Sequence, residues 1–182
     1  MPTLRDATPE DALAIAGVHV RSWQAAYRGL IDAEFLDRLR PEERAGSYRL
    51  GDPDPSAPRT VVAEAGGEIW GFATTGPCRD ADARDAGELY ALYVDPPRFR
   101  SGTGRLLLEA ATGRMRADGF SEAVLWVLRG NEVAERFYAA AGWRRDGAER
   151  EEQPYGVVSN VLRMRRSLAD RPVRSEAGTR NA

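Results

Sequence analysis

The sequence predicts an α/β fold, a mixed central sheet of six to seven strands flanked by about four helices. Three observations point there. Strand-like and helix-like segments alternate along the chain. A run of strand formers, Leu89-Tyr90-Ala91-Leu92-Tyr93-Val94, stops at Asp95-Pro96-Pro97, and a glycine loop then leads into the apolar helix start Arg105-Leu106-Leu107-Leu108. Residues 123–128 form a continuous apolar run, as in a strand buried on both faces.

Taken in order, Thr3-Leu4-Arg5 is a short strand. Thr8 then offers an N-cap, Pro9 suits a first helical position, and Glu10 and Asp11 place acids in the first turn. Leu13, Ala16, Val20 and Trp23 follow one helical stripe to Tyr27, and Arg28-Gly29 ends it. Residues 32–39 read as a second helix, and Pro41 suits a fresh start running to about residue 50. A proline-rich loop over 51–58 precedes two strands, 60–64 and 68–73, joined by Gly66-Gly67 as a hairpin turn. After a polar loop over 78–87 come the strand, glycine loop and helix already named, the helix ending at Asp118-Gly119. The apolar strand follows, then a helix over 131–141 stopped by Gly142, then strands near 143–152 and 157–164. One domain over 2–166 is expected, with a disordered tail over 167–182 where the apolar pattern disappears.

Composition narrows the function classes. Hydrophobic content of 42% and charged content of 30% are ordinary for a soluble globular chain long enough to bury a core. A net charge of −2 gives no electrostatic reason to expect nucleic acid. All 26 basic residues are arginine, so a lysine-bearing phosphate loop is excluded. The single cysteine, Cys78, excludes an internal disulfide and fits a reducing compartment. No apolar run approaches the roughly 18 residues of a membrane span, and no basic-then-apolar leader is seen. A cytoplasmic location is the expectation, with no metal and no membrane partner.

The stretch from Glu88 to Leu108 carries the chemistry. Strand, glycine loop and helix in that order leave the first-turn N–H groups unpaired, facing outward at the positive end of the helix dipole. Gly102 and Gly104 lack a Cβ, so a phosphate can approach the backbone closely. This stretch resembles the coenzyme A loop of the GNAT N-acetyltransferase superfamily, in which [Q/R]-x-x-G-x-G/A follows a strand ending in a Val-x-Pro-type turn. Phe99 stands where that family often has Gln or Arg, which removes one side-chain contact and leaves the backbone cradle intact. A second stretch, Asn131 to Trp143, resembles the family pattern Asn-x-x-A-x-x-x-Y-x-x-x-G-[FW]. Asn131 and Tyr138 are seven apart, nearly one helix face, and Asn131 fits an N-cap. The element order matches the GNAT fold over about residues 2–166.

The resemblance implies roles. Acetyl-CoA would be the co-substrate. The loop Arg100-Ser101-Gly102-Thr103-Gly104-Arg105 would hold its phosphates, with Arg98 a further cation, and Asn131 would bind the pantetheine arm. The opening strand would splay from its neighbour, so that Leu92, Tyr93 and Val94 offer main-chain bonds to the cofactor, with an N–H near Leu92 polarising the thioester. Tyr138 would serve the leaving thiolate as donor or general acid. Glu88, eleven residues before Phe99, stands where some members place a glutamate base. A solvated residue at a strand start is the plainer alternative. Strand periodicity sets Glu88, Tyr90 and Leu92 on one face unless a bulge intervenes. His19, Trp23, Tyr27 and Tyr90 would wall the acceptor pocket; a packed histidine and an aromatic core stripe are the competing readings.

The expected activity is direct acetyl transfer, without an acyl-enzyme, to a primary amine of a small molecule: polyamine, aminoglycoside-like or amino acid. A non-catalytic acyl-CoA sensor and an acetyltransferase of a protein N-terminus or side chain are alternatives. Asp80, Asp82, Asp85, Glu151 and Glu152 would edge the pocket and favour a cation, an argument that Arg79, Arg84 and Arg150 weaken. Dimerisation through the last strands, common among relatives, adds a homodimer to the expectations.

Overall fold

A computed structural model describes residues 1–54, 56–153 and 157–169. The elements are β1 (Thr3–Asp6), α1 (Ala12–Ala26), α2 (Ala33–Arg38), α3 (Pro41–Ala45), β2 (Arg59–Ala65), β3 (Glu68–Pro77), β4 (Gly87–Val94), α4 (Thr103–Ala117), β5 (Glu122–Leu128), α5 (Glu132–Ala140), β6 (Arg144–Glu152) and β7 (Ser159–Ser167). One seven-stranded mixed sheet runs in the order β1-β2-β3-β4-β5-β7-β6. Every pairing is antiparallel except β4 with β5, which are joined through α4 as parallel neighbours require. The fold class read from the sequence is the one observed.

The sheet packs on both faces. Leu107, Leu108, Ala111 and Met115 of α4 meet Ala63, Ala73, Leu89, Leu125 and Val127 on one side. Ile15 and Val18 of α1 meet Val62 and Phe72 on the other. Alternate residues of β2 and β3 thus serve opposite faces, the period-two pattern of a covered strand. Gly66 and Gly67, at φ 61° and 79°, make the tight hairpin between β2 and β3.

Two expectations needed correction. The helix at Pro41 ends at Ala45 rather than near residue 50. Gly46 follows as a weak helix former, the Ser47 hydroxyl donates to Arg44 O at 2.7 Å, and Tyr48 is drawn instead to His19. Core structure also passes residue 166: β7 runs to Ser167, Leu168 is buried in the α4-side core, and its N–H donates to Ser121 O at 2.8 Å. The proposed tail from 170 to 182 lies outside the described residues. In the sheet β7 lies between β5 and β6, out of chain order.

Candidate active site

The site begins with a break in the sheet. β4 pairs with β5 only through Gly87, Glu88 and Leu89, and beyond Leu89 the two strands part. A bulge accompanies the parting. Thr74 pairs with Ala91 and Thr75 with Leu89, leaving Tyr90 as the extra residue on β4. The bulge reverses the alternation, so Glu88, Tyr90 and Leu92 do not share a face as the unbroken period had suggested. Leu92 packs in the α4-side core, whereas Ala91 and Tyr93 pack against the α1 side. Main-chain directions follow from the ladder. The Asp95 N–H donates to Trp70 O at 2.8 Å, so Tyr93 and Asp95 point to β3 and the alternate residues Leu92 and Val94 point into the gap. The Ser22 hydroxyl already donates to Val94 O at 2.7 Å, and Arg21 holds Asp95 at 2.7 Å, so α1 is tied to the end of β4.

The glycine loop lies where β4 hands over to α4. Gly102 caps α4 in a left-handed conformation at φ 86°, and Arg100 is left-handed at φ 60°. Such turns converge successive N–H groups into an anion-binding concavity. Among the described residues, the N–H groups of Gly102, Gly104 and Arg105 donate to no protein acceptor. Ser101 and Thr103 hydroxyls bond each other at 2.7 Å, which fixes the loop. The arginines are not equivalent. Arg98 stacks over Trp70 at 4.2 Å and pairs with Glu68 at 3.2 Å, while Arg105 pairs with Glu109 at 2.9 Å. Among the described residues Arg100 has no carboxylate partner. Phe99 is exposed.

Across the gap, the Asn131 side chain caps α5 by accepting from Ala134 N–H at 3.2 Å. Tyr138 is 9% exposed, with Phe137 and Trp143 edge-on to its ring at 5.2 and 6.2 Å. Burial raises the Tyr138 phenol, and the neighbouring Tyr93 adds to the rise. Burial likewise raises Tyr27, with contributions from Tyr93 and Tyr138. Three tyrosines, from α1, β4 and α5, therefore converge electrostatically at the parting of the sheet.

On the α1 side a cavity of about 200 Å³ opens beside the gap. His19, Trp23, Tyr27 and Tyr90 all line it, together with Tyr93, Trp126 and Glu88. Glu88 is 1% exposed, so it is not a solvated strand-start residue. Arg79 encloses its carboxylate: main-chain N–H at 3.0 Å, Nε at 3.2 Å and Nη2 at 2.6 Å. The Arg79 guanidinium also lies 4.3 Å from the Tyr90 ring centre, and Tyr90 gives its hydroxyl proton to Pro77 O. His19 is neutral: burial lowers its pKa to about 2, with a smaller contribution from Arg44.

The expected acidic rim is absent in that form. Asp80 is bound by Arg150 at 2.5 Å, Arg163 at 3.0 Å and the Trp126 indole N–H at 3.0 Å; Arg163 holds Asp82 as well. Of the acids once assigned to the edge, only Glu152 lines the cavity, and Arg150 binds it. The sequence reading missed Arg44 and Trp126 as lining residues, and Arg79 and Arg150 as more than loop charges. Their separation in the chain, from α3 to β6, left no local signal. Cys78 is buried, and desolvation raises its thiol pKa, the character of an inert side chain. Among the described residues no group of three or more His, Cys, Asp or Glu could hold a metal ion, and no helix is long and apolar enough to cross a membrane.

Comparison with known proteins places this geometry in context. The Acetyltransferase (GNAT) family matches residues 20–143. The chain is similar to the uncharacterized N-acetyltransferase YuaI of Bacillus subtilis, 36% identical over 132 residues that cover 72% of this chain and 74% of that protein. It is also similar to the mycothiol acetyltransferase of Thermobispora bispora, 34% identical over 145 residues, covering 71% of this chain but 47% of that longer protein. In structure it resembles yncA of Salmonella typhimurium, solved with acetyl-CoA, at a TM-score of 0.68 and 21% identity, covering 95% and 97% of the two chains; at that identity the likeness speaks to fold alone. With the strand gap, the glycine loop and the Asn131–Tyr138 helix inside or beside the matched segment, the chain belongs to the acetyltransferase (GNAT) family.

Proposed function

We propose that this protein transfers the acetyl group of acetyl-CoA directly to a primary amine of a small molecule. The observation that carries the reading is the parting of β4 from β5 beyond Leu89, with the cavity on one side and the unpaired N–H groups of the glycine loop at its end. Acetyl-CoA supplies the activated acyl group as a thioester. The N–H groups of Gly102, Gly104 and Arg105, with Arg100, hold its phosphates at the start of α4, and Ser101 and Thr103 shape that loop. Leu92 and Val94 offer main-chain groups to the pantetheine arm from one side of the gap, beside Tyr93, and Asn131 does so from the other. Tyr138 gives its proton to the departing thiolate, a role suited to a phenol whose burial keeps it protonated.

The amine occupies the cavity beside Trp23, Tyr27 and Tyr90. Glu88 is the proposed base. Because Arg79 occupies both carboxylate oxygens, the amine's proton reaches Glu88 through water after a shift of the Arg79 side chain, which is largely exposed as a whole. A polyamine gains little here, since both carboxylates lining the cavity already carry an arginine. An uncharged or zwitterionic amine, such as an amino acid derivative, suits that wall better. The acceptors named for the mycothiol acetyltransferases are small molecules, which supports the same class.

The test is thiol release from acetyl-CoA against polyamines, aminoglycosides, amino acids, amino acid amides and short peptides, with Tyr138→Phe beside the wild type. Amine-dependent release that collapses in the variant is expected. Tight acetyl-CoA binding with no release for any amine would replace this reading with a sensor role.

A further inference from the structure

We infer that His19 is a specificity residue for the acceptor: Tyr48 fixes the imidazole as the Nε2–H tautomer, and that N–H donates to an oxygen close to the reacting amine. The inference rests on the cavity being the acceptor site and names a chemical feature that the acceptor must carry.

His19 is 4% exposed, yet its ring lines the cavity and Nε2 has no hydrogen-bond partner. A buried ring nitrogen left unpaired is costly, and a ligand is one way to satisfy it. The other nitrogen is committed. Nδ1 lies 2.8 Å from the Tyr48 hydroxyl, and Tyr48 is not among the residues lining the cavity, so the ring edge turned from Tyr48 is the one toward the cavity.

Polarity follows from the next residue along. The Arg44 guanidinium lies 5.5 Å from the Tyr48 ring centre. A guanidinium only donates and offers the phenol proton no acceptor, and among the described residues Nδ1 is the acceptor within hydrogen-bond distance of the Tyr48 hydroxyl. With Nδ1 accepting, a neutral imidazole carries its proton on Nε2. Rings from three elements hold this orientation: Trp23 of α1 at 5.3 Å, Phe72 of β3 at 6.0 Å and Tyr93 of β4 at 4.4 Å. Nε2–H therefore selects an amine with a neighbouring carbonyl, carboxylate or hydroxyl oxygen, and disfavours a bare alkylamine. It also explains why a histidine with no base strength lines the cavity at all.

His19 is the only histidine, so its ring nitrogens can be read without assignment. Proton–nitrogen correlation spectra of the full chain near pH 7, without ligands, should show protonated Nε2 and unprotonated Nδ1. Protonated Nδ1 would overturn the inference. Tyr48→Phe should yield a tautomer mixture, and retention of pure Nε2–H would remove Tyr48 from the account. For the kinetic arm, L-phenylalaninamide and 2-phenylethylamine are compared as acceptors, since they differ by one oxygen-bearing group. The wild type should favour the amide about 10-fold in kcat/KM, mainly through KM. His19→Phe should abolish the preference, while His19→Gln, which keeps a side-chain N–H, should retain part of it. An unchanged preference in both variants would overturn the assignment. Thiol release with no amine of any class, despite an Nε2–H tautomer, would instead fell the acyl-transfer reading and the acceptor oxygen with it.

Discussion

The two halves of the site are built on different physical scales. The glycine loop and the start of α4 lie within a few consecutive residues, and backbone geometry makes the site: φ 86° at Gly102, φ 60° at Arg100 and N–H groups of Gly102, Gly104 and Arg105 that find no acceptor among the described residues. The cavity is assembled from α1, α3, β4, β5, β6 and β7, and its charges are fixed by partners distant in sequence. Asp80 meets Arg150 and Arg163 across 70 and 83 residues. A cofactor shared by many proteins can thus be bound by a short local device. The wall proposed for the acceptor is one whose charged side chains Glu88 and Arg150 are held by partners outside their own strands.

That contrast can be broken by mutation. The largest effect is expected for Tyr138→Phe, which removes the oxygen proposed to protonate the leaving thiolate. Turnover should fall by about 10²–10⁴-fold, the usual worth of general acid catalysis, with the dissociation constant for acetyl-CoA unchanged by isothermal titration. A loss below about 3-fold would remove Tyr138 from the chemistry.

Next is Arg163→Met, which tests how far the cavity wall depends on distant partners. Arg163 is 5% exposed and bonds Asp80, Asp82 and Asp146; its removal takes one of three partners from the buried Asp80, which keeps Arg150 and the Trp126 indole N–H. A loss of about 1–3 kcal/mol in urea unfolding is expected. Acetyl-CoA binding to the remaining folded protein should be little affected. Equal damage to both halves would show that they are one cooperative unit.

Gly102→Ala probes the local half. A Cβ at φ 86° meets no neighbouring atom, so the cost is backbone strain alone, about 1–2 kcal/mol. Acetyl-CoA should bind roughly 10-fold more weakly, and the His19 signals should not move.

The smallest effect is a pH dependence confined to the cavity half. The folded His19 pKa is lowered to about 2, while the unfolded chain takes up its proton near 6.5. Below pH 6.5 the unfolded state therefore binds more protons, and stability falls as pH falls. The slope is at most about 1.4 kcal/mol per pH unit, beginning before the carboxylates titrate. His19→Gln should flatten stability between about pH 6.5 and 5. A wild type with no slope there would mean that the ring protonates in the folded state.

The sequence by itself determined the elements with local causes. Thr8 and Pro9 before α1, Asn131 as the cap of α5, the two-glycine hairpin and Gly142 as a helix stop all act over three or four residues, so their geometry is written in consecutive side chains. The order of elements likewise sufficed for the fold class, and resemblance to the family supplied the two motifs. Tertiary structure decided the rest. Only pairing with β3 makes Tyr90 a bulge and turns Leu92 away from the face of Glu88. Only the sheet order brings β7 beside β5, and with it Arg163 to Asp80. Arg79 became the partner of Glu88, and Tyr48 of His19, through the approach of separate elements in space. Hydrogen-bonding and charge partners depend on distances of about 3 Å between such elements, and composition and periodicity carry no record of those distances.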